Sequence, residues 1–254
     1  MAFAELRIFS EALGMSTTVN VIIPQRSTLG EIGTENRTIG GKYRCLYLLH
    51  GLSDDESIWM RRTSIERYAS KYGIAVVMPR GDRSFYTDIT GGEKYFTYIS
   101  SELPKIITDL FPVSDKREDN VIGGLSMGGY GALKAALRKP ERFSRAIALS
   151  PVADIRSFFD RAPATLGRVF GGKGEISAHD DLFLLAKALS LSLNRPSIYM
   201  ATGLSDFMYE DIAKLRMHFS DLGYNLTYKE GDGAHSWDFW DEYIKHALAW
   251  AYEE

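Results

Sequence analysis

The sequence predicts an α/β chain: a mostly parallel central sheet with helices on both faces. Three observations lead there. From Tyr43 to the C-terminus, short apolar runs of strand length alternate with amphipathic segments of helical period, the pattern of a sheet covered on both sides. Ahead of them, Ala4 to Leu13 and Met15 to Pro24 are strand-like with no helix between, which makes an antiparallel N-terminal edge. In the middle, the run from Asp119 to Gly123 passes through Gly124-Leu125-Ser126-Met127-Gly128 straight into a helix-forming stretch, Ala132 to Lys139.

Taken in order, the second N-terminal strand alternates through Thr17, Val19, Val21 and Ile23. Thr28 to Lys42 is polar and Gly-rich and reads as a mobile connection. Tyr43 to His50 is a buried strand ending at His50-Gly51. Arg62 to Gly73 carries Ile65, Tyr68, Ala69 and Tyr72 at helical spacing, with Gly73 as terminator. Ile74 to Met78 is a further apolar run closed by Pro79, and Arg80 to Lys94 is a loop rich in Gly and Asp. Tyr95 to Phe111 presents Ile99, Leu103, Ile106 and Leu110 on one helical face, and Pro104 inside it predicts a kink or a restart.

Arg145 to Leu149 is a strand ended by Ser150-Pro151. Val152 to Leu193 is the least regular part, with Gly167, Gly171, Gly172 and Gly174 and the exposed-looking Phe158, Phe159 and Phe170. We read 152–193 as an irregular lid insertion. Pro196 to Ala201 resumes a strand. Met208, Ile212, Leu215, Phe219 and Leu222 mark a helix, Tyr224 to Glu230 is the last strand, and a terminal helix carries Trp240, Ile244, Ala247 and Ala251. No linker divides the chain, so 1–254 is expected to form one domain.

Lys and Arg number 30 against 33 Asp and Glu, a formal charge of −3, with the signs interspersed. That balance argues against a nucleic-acid or anionic-membrane partner. The single cysteine, Cys45, lies in an apolar strand and reads as a buried structural thiol. No apolar run approaches membrane-spanning length and the N-terminus lacks a basic-then-apolar leader, so a cytoplasmic location is expected. Assembly into a homo-oligomer is left open.

The chemistry centres on Ser126. A sharp strand-to-helix turn strains its central residue, and side chains two positions away on either side would collide; Gly124 and Gly128 remove them. Gly129 and Gly131 are read as letting the helix lie close to the flanking strands. A phosphate-binding loop is ruled out because no Lys follows, and a dinucleotide fingerprint started at Gly129 fails at Lys134. The stretch resembles the nucleophile elbow of α/β-hydrolases, where an acid and then a histidine follow from the ends of later strands.

A serine hydroxyl needs a base to take its proton, and the base needs an acid to fix its tautomer. His235 alone follows the last strand. His218 and His246 lie within helices, His179 in the insertion, and His50 comes too early and is read as shaping its loop by hydrogen bonding. Asp206 follows the penultimate strand, with a helix cap as its alternative role, and Asp154 is the competing acid. The two amides needed for a tetrahedral oxyanion are assigned to the N–H groups of Met127 and Leu52, Leu52 having plain packing as its alternative.

With Leu48-Leu49-His50-Gly51, Trp59, Gly124 to Gly129, Gly203 to Asp206 and His235-Ser236-Trp237 in hand, nearly the whole chain resembles the esterase D-type α/β-hydrolases. Within them it is most similar to bacterial tributyrin (short-chain acyl) esterases. Leu13-Gly14-Met15-Ser16, Phe85-Tyr86-Thr87-Asp88 and Glu102-Leu103-Pro104 carry the same resemblance. It implies a triad of Ser126, Asp206 and His235, an oxyanion hole at Leu52 and Met127, and no metal or other cofactor. The implied reaction is hydrolysis of small-molecule esters with acetyl to butyryl groups. S-formylglutathione hydrolases and acetyl or feruloyl carbohydrate esterases share the pattern. The first of these typically have His where Leu125 stands and Cys near Ser53-Asp54. An acyltransferase, or an inactive binding module on the same scaffold, is the remaining alternative. Trp59, Tyr86 and the three insertion phenylalanines are the candidate walls of a short acyl pocket, with core packing as their alternative role.

Overall fold

A computed structural model describes residues 1–25 and 40–253. Most of the connection from Thr28 to Lys42 therefore lies outside the described residues. Among the described residues one sheet runs in the order β1 (Ala2–Ser10), β2 (Met15–Ile23), β4 (Ala75–Pro79), β3 (Cys45–Leu49), β5 (Asn120–Leu125), β6 (Arg145–Leu149), β7 (Ser197–Gly203) and β8 (Leu226–Gly231). β1 pairs antiparallel with β2, and β2 with β4. All remaining pairs are parallel. The expected antiparallel edge is present, and β5 lies inside the sheet between β3 and β6.

The helices are α1 (Ile58–Arg62), α2 (Ile65–Tyr72), α3 (Tyr95–Thr97), α4 (Leu103–Leu110), α5 (Met127–Arg138), α6 (Ile155–Phe158), α7 (Pro163–Phe170), α8 (Leu182–Leu189), α9 (Tyr209–Asp221) and α10 (Trp237–Tyr252). Strand alternation divides the core. Val19, Val21, Tyr47, Leu49 and Ile122 pack with Leu133 and Ala136 of α5 and Ile212 and Leu215 of α9. On the other face Ile22, Leu46, Leu48 and Val121 meet Ile65 and Ala69 of α2 and Trp240, Ile244 and Leu248 of α10. The enclosed valines, leucines and isoleucines contribute about 1.5–3 kcal/mol each. Gly73, at φ 60°, ends α2 as expected. Among the described residues no helix is long and apolar enough to cross a membrane.

The predicted helix runs on from Tyr95 to Leu110, but its pitch changes: a π-helical turn, Tyr98–Glu102, joins α3 to α4 just ahead of Pro104, which is the irregularity the proline predicts. Glu102, at the end of this turn, accepts from the Ser10 hydroxyl (2.5 Å) and the Glu11 amide (2.7 Å), tying the β1–β2 turn to the helix.

The insertion is more ordered than its sequence suggests. It holds α6, α7 and α8, and the Asp154 and Asp181 carboxylates cap α6 and α8. Its phenylalanines are not exposed: Phe170 is buried, and Phe158 and Phe170 set their rings about Phe85 at 6.1 and 6.2 Å.

Candidate active site

Ser126 closes β5 at φ 53°, ψ −117°, a left-handed backbone that a non-glycine residue adopts at a cost of about 1–3 kcal/mol. Main-chain bonds hold it there. Its amide donates to the Leu149 carbonyl (2.9 Å), and its carbonyl accepts from Tyr130 (3.0 Å) and Val152 (3.2 Å). A Cβ on Gly128 would stand 2.5 Å from the Leu49 carbonyl oxygen, and one on Gly124 2.5 Å from the Gly128 carbonyl carbon. The two glycines therefore let helix and strand touch, as the motif requires. A Cβ on Gly129 would stand 3.1 Å from Pro151 Cα. Gly131 serves a different purpose from the one expected, since its Cβ would strike the Tyr86 ring at 2.4 Å rather than a strand.

The ends of β7 and β8 are stitched together. Leu204 N–H donates to Gly231 O and Ser205 N–H to Gly233 O, both at 2.9 Å. A Cβ on Gly203 would lie 2.3 Å from the Gly233 oxygen, so this approach needs a glycine. The stitch brings Asp206 to His235. Asp206 Oδ2 accepts from His235 Nδ1 at 2.9 Å, and His235 Nε2 lies 3.0 Å from Ser126 Oγ. With Nδ1–H committed to the carboxylate, we assign Nε2 as the acceptor of the Ser126 hydroxyl proton. Burial pushes the Asp206 carboxyl up. The hydrogen bond and charge of His235, the Met208 amide (2.9 Å to Oδ1) and the Ser150 hydroxyl outweigh it and hold the group below its ordinary value.

Three further residues support this arrangement, and the sequence reading missed all of them. Ser150, at φ 44°, is fully buried, and its Oγ accepts from Trp240 Nε1 at 3.2 Å. The Trp240 ring meets His235 edge-on at 4.8 Å, and Phe207 covers the same imidazole from 4.8 Å. In the sequence Trp240 reads only as one residue of a helical stripe, and Ser150 only as a strand end.

The loop after β3 is fixed beside the elbow. A Cβ on Gly51 would stand 2.8 Å from Leu125 Cδ1, and Gly128 rests on the His50 carbonyl. His50 is buried; its Nδ1–H donates to Gly51 O (2.7 Å) while Nε2 accepts from Gly81 N–H (2.8 Å). Burial lowers its pKa, in keeping with a neutral ring that shapes the loop. Leu52 follows directly, its side chain half-buried against the core. The Met127 N–H opens α5, where no intrahelical acceptor exists.

Other candidates stand elsewhere. Asp154 spends its carboxylate on the Arg156 and Ser157 amides. His218 Nε2 pairs with the Phe183 carbonyl, His246 with Glu242, and His179 is exposed. Trp59 and Tyr86 take the packing role. Both are buried in the core, Trp59 Nε1 donating to Leu49 O (3.1 Å) and the Tyr86 hydroxyl to His50 O (2.9 Å).

A family model described as "Putative esterase" matches residues 10–251. An acetyl esterase of Caldicellulosiruptor saccharolyticus is 33% identical over 98% of either chain. Among solved structures, the fluorophosphonate-binding serine hydrolase F of Staphylococcus aureus superposes with a TM-score of 0.90 at 33% identity, over 100% of this chain and 99% of that one. An S-formylglutathione hydrolase of Staphylococcus aureus gives 0.87 at 33% identity, over 99% of each. The shared architecture is the α/β-hydrolase fold.

Proposed function

The chain belongs to this esterase family, and from that premise we propose that it is a serine carboxylesterase acting on small-molecule esters of short acyl groups, acetyl to butyryl. One observation carries the reading: Ser126 Oγ, the two His235 nitrogens and Asp206 Oδ2 form a single chain of hydrogen bonds at 3.0 and 2.9 Å. In the proposed cycle His235 Nε2 takes the Ser126 proton as Oγ attacks the ester carbonyl. Asp206 steadies the imidazolium. The Met127 and Leu52 amides receive the oxyanion, and His235 returns the proton to the leaving alcohol. Water then repeats the sequence on the acyl-enzyme. These groups complete the reaction without a metal or organic cofactor. A cytoplasmic setting belongs to the same proposal, supported by the one cysteine being a buried free thiol.

The likeness to an S-formylglutathione hydrolase favours a second reading, thioester hydrolysis by the same triad. Against it, the loop after β3 reads Gly51-Leu52-Ser53-Asp54, with no cysteine to meet such a substrate. One experiment tests both: turnover of p-nitrophenyl acetate, butyrate and decanoate and of S-formylglutathione, by the native chain and by Ser126→Ala. We expect acetate and butyrate to be preferred, and Ser126→Ala to lose detectable turnover while remaining folded. Preference for decanoate rejects the short acyl group, preference for S-formylglutathione installs the second reading, and an active Ser126→Ala removes the proposed nucleophile.

A further inference from the structure

β1 is the outermost strand of the sheet, and no strand among the described residues pairs with its outer edge. It runs nine residues without Pro or Gly, and it presents Phe3 at 49% and Phe9 at 63% exposure. Proteins normally blunt such an edge with prolines, bulges, brevity or charged side chains. This one is long and unbroken, and its two charges, Glu5 and Arg7, are of opposite sign.

Main-chain direction follows from the register. Arg80 N–H donates to Thr18 O at 3.1 Å, so the Thr18 main chain faces β4. Alternate residues of an antiparallel strand turn both N–H and C=O to the same side, so Thr17, Val19, Val21 and Ile23 face β1. Their partners Ile8, Leu6, Ala4 and Ala2 face inward in turn. The outward main-chain groups belong to Phe3, Glu5, Arg7 and Phe9, the same residues whose side chains are exposed.

These residues are self-complementary about Leu6. We infer that β1 is a dimerisation edge: a second copy of this chain adds its own β1 antiparallel about a two-fold axis at Leu6, joining the two sheets. Glu5 then lies opposite the partner's Arg7, and Phe3 opposite the partner's Phe9. The reciprocal pairs repeat on the other side of the axis, each exchanging two main-chain bonds. Opposite charges and aromatic rings facing across strands are favourable, and like charges are not. Other registers are worse. A slip by two residues sets Arg7 against the partner's Arg7 or Glu5 against the partner's Glu5, and a slip by one turns the main-chain groups away.

The test is sedimentation velocity on the full chain with its N-terminus untagged, over a wide concentration range. The native chain is expected at twice its 28.5 kDa. Arg7→Glu and Glu5→Arg each place like charges across both reciprocal pairs and should weaken association at least about tenfold. The double swap, Glu5→Arg with Arg7→Glu, regenerates the pairing and should restore the dimer. The two single variants, mixed, should form a heterodimer. Ester turnover by each variant, followed in parallel, reports folding. A native chain that stays monomeric overturns the inference. So do single swaps that keep the native mass throughout, or a double swap or mixture that fails to associate.

Discussion

Replacing Lys134 by methionine should destabilise the fold by about 4 kcal/mol while leaving the proposed site intact. Lys134 lies in the middle of α5 and is fully enclosed. Its ammonium donates to Phe85 O at 3.2 Å, Thr87 Oγ1 at 2.5 Å and Asp180 Oδ1 at 3.0 Å, so a single cation joins the elbow helix, the loop after β4 and the insertion. Methionine keeps the apolar stem and strands the Asp180 carboxylate, whose side chain is 11% exposed. Removing one member of a buried pair costs about 3–5 kcal/mol, and the two stranded neutral acceptors keep the figure from the low end. At about 2–4 °C per kcal/mol for a chain of this size, the melting temperature should fall by roughly 10 °C. Thermal and urea unfolding followed by circular dichroism measure it, and Lys134→Met/Asp180→Asn should recover at least about half of the loss. Burial, aided by Arg138, pulls the ammonium down to about 8 against Asp180 and Asp88. The unfolded chain, with an ordinary lysine near 10.4, then binds the proton that the folded chain has released. Native stability should therefore rise relative to Lys134→Met between those two pH values. A single variant within about 1 kcal/mol of the native chain would refute the reasoning.

Two perturbations address the site itself. Gly128→Ala forces a Cβ to within 2.5 Å of the Leu49 carbonyl oxygen, which cannot rotate away, so α5 must move and carry the elbow with it. kcat/KM for p-nitrophenyl acetate should fall at least about 100-fold, and an unimpaired variant would show that the close contact is dispensable. Asp206→Asn should lower kcat by about 10⁴ with little change in KM, because the amide fixes the wrong tautomer of His235. The Asp206 carboxyl is held low in the fold, so its contribution to stability is complete above about pH 4 and lost as pH falls through its folded value; acid unfolding of Asp206→Asn should lack that loss.

Much of the framework is legible in the chain because single residues answer to local geometry. Ser126 is boxed by glycines that only a helix touching a strand requires, and Asp206 and His235 each directly follow a strand. What escaped depends on contacts remote in sequence. Lys134 looks like a solvent-facing helix residue until Asp180, 46 positions away, is brought beneath it. Ser150 means little without Trp240, 90 positions later. The insertion helices were hidden by the glycines between them, although Asp181 before Leu182-Phe183-Leu184-Leu185 is a capping signal that the composition obscured.

The order in which the three side chains appear along the chain has a physical origin in the sheet. Beyond their last regular pairs, the central strands continue to hydrogen-bond stepwise. Ser126 N–H reaches Leu149 O across β5 and β6, Ser150 N–H reaches Ala201 O across β6 and β7, and Leu204 N–H reaches Gly231 O across β7 and β8. Each step hands the next residue forward along one edge, so hydroxyl, carboxylate and imidazole meet without relying on long side chains to span the gap. The glycines at 203 and 233 allow the last step, Gly233 at φ 138° and Gly203 against its carbonyl. Precision at the site is thus inherited from the parallel ladder. Changes that move the backbone at Gly128 or Gly203 should therefore cost more activity than the loss of any ring packed around His235.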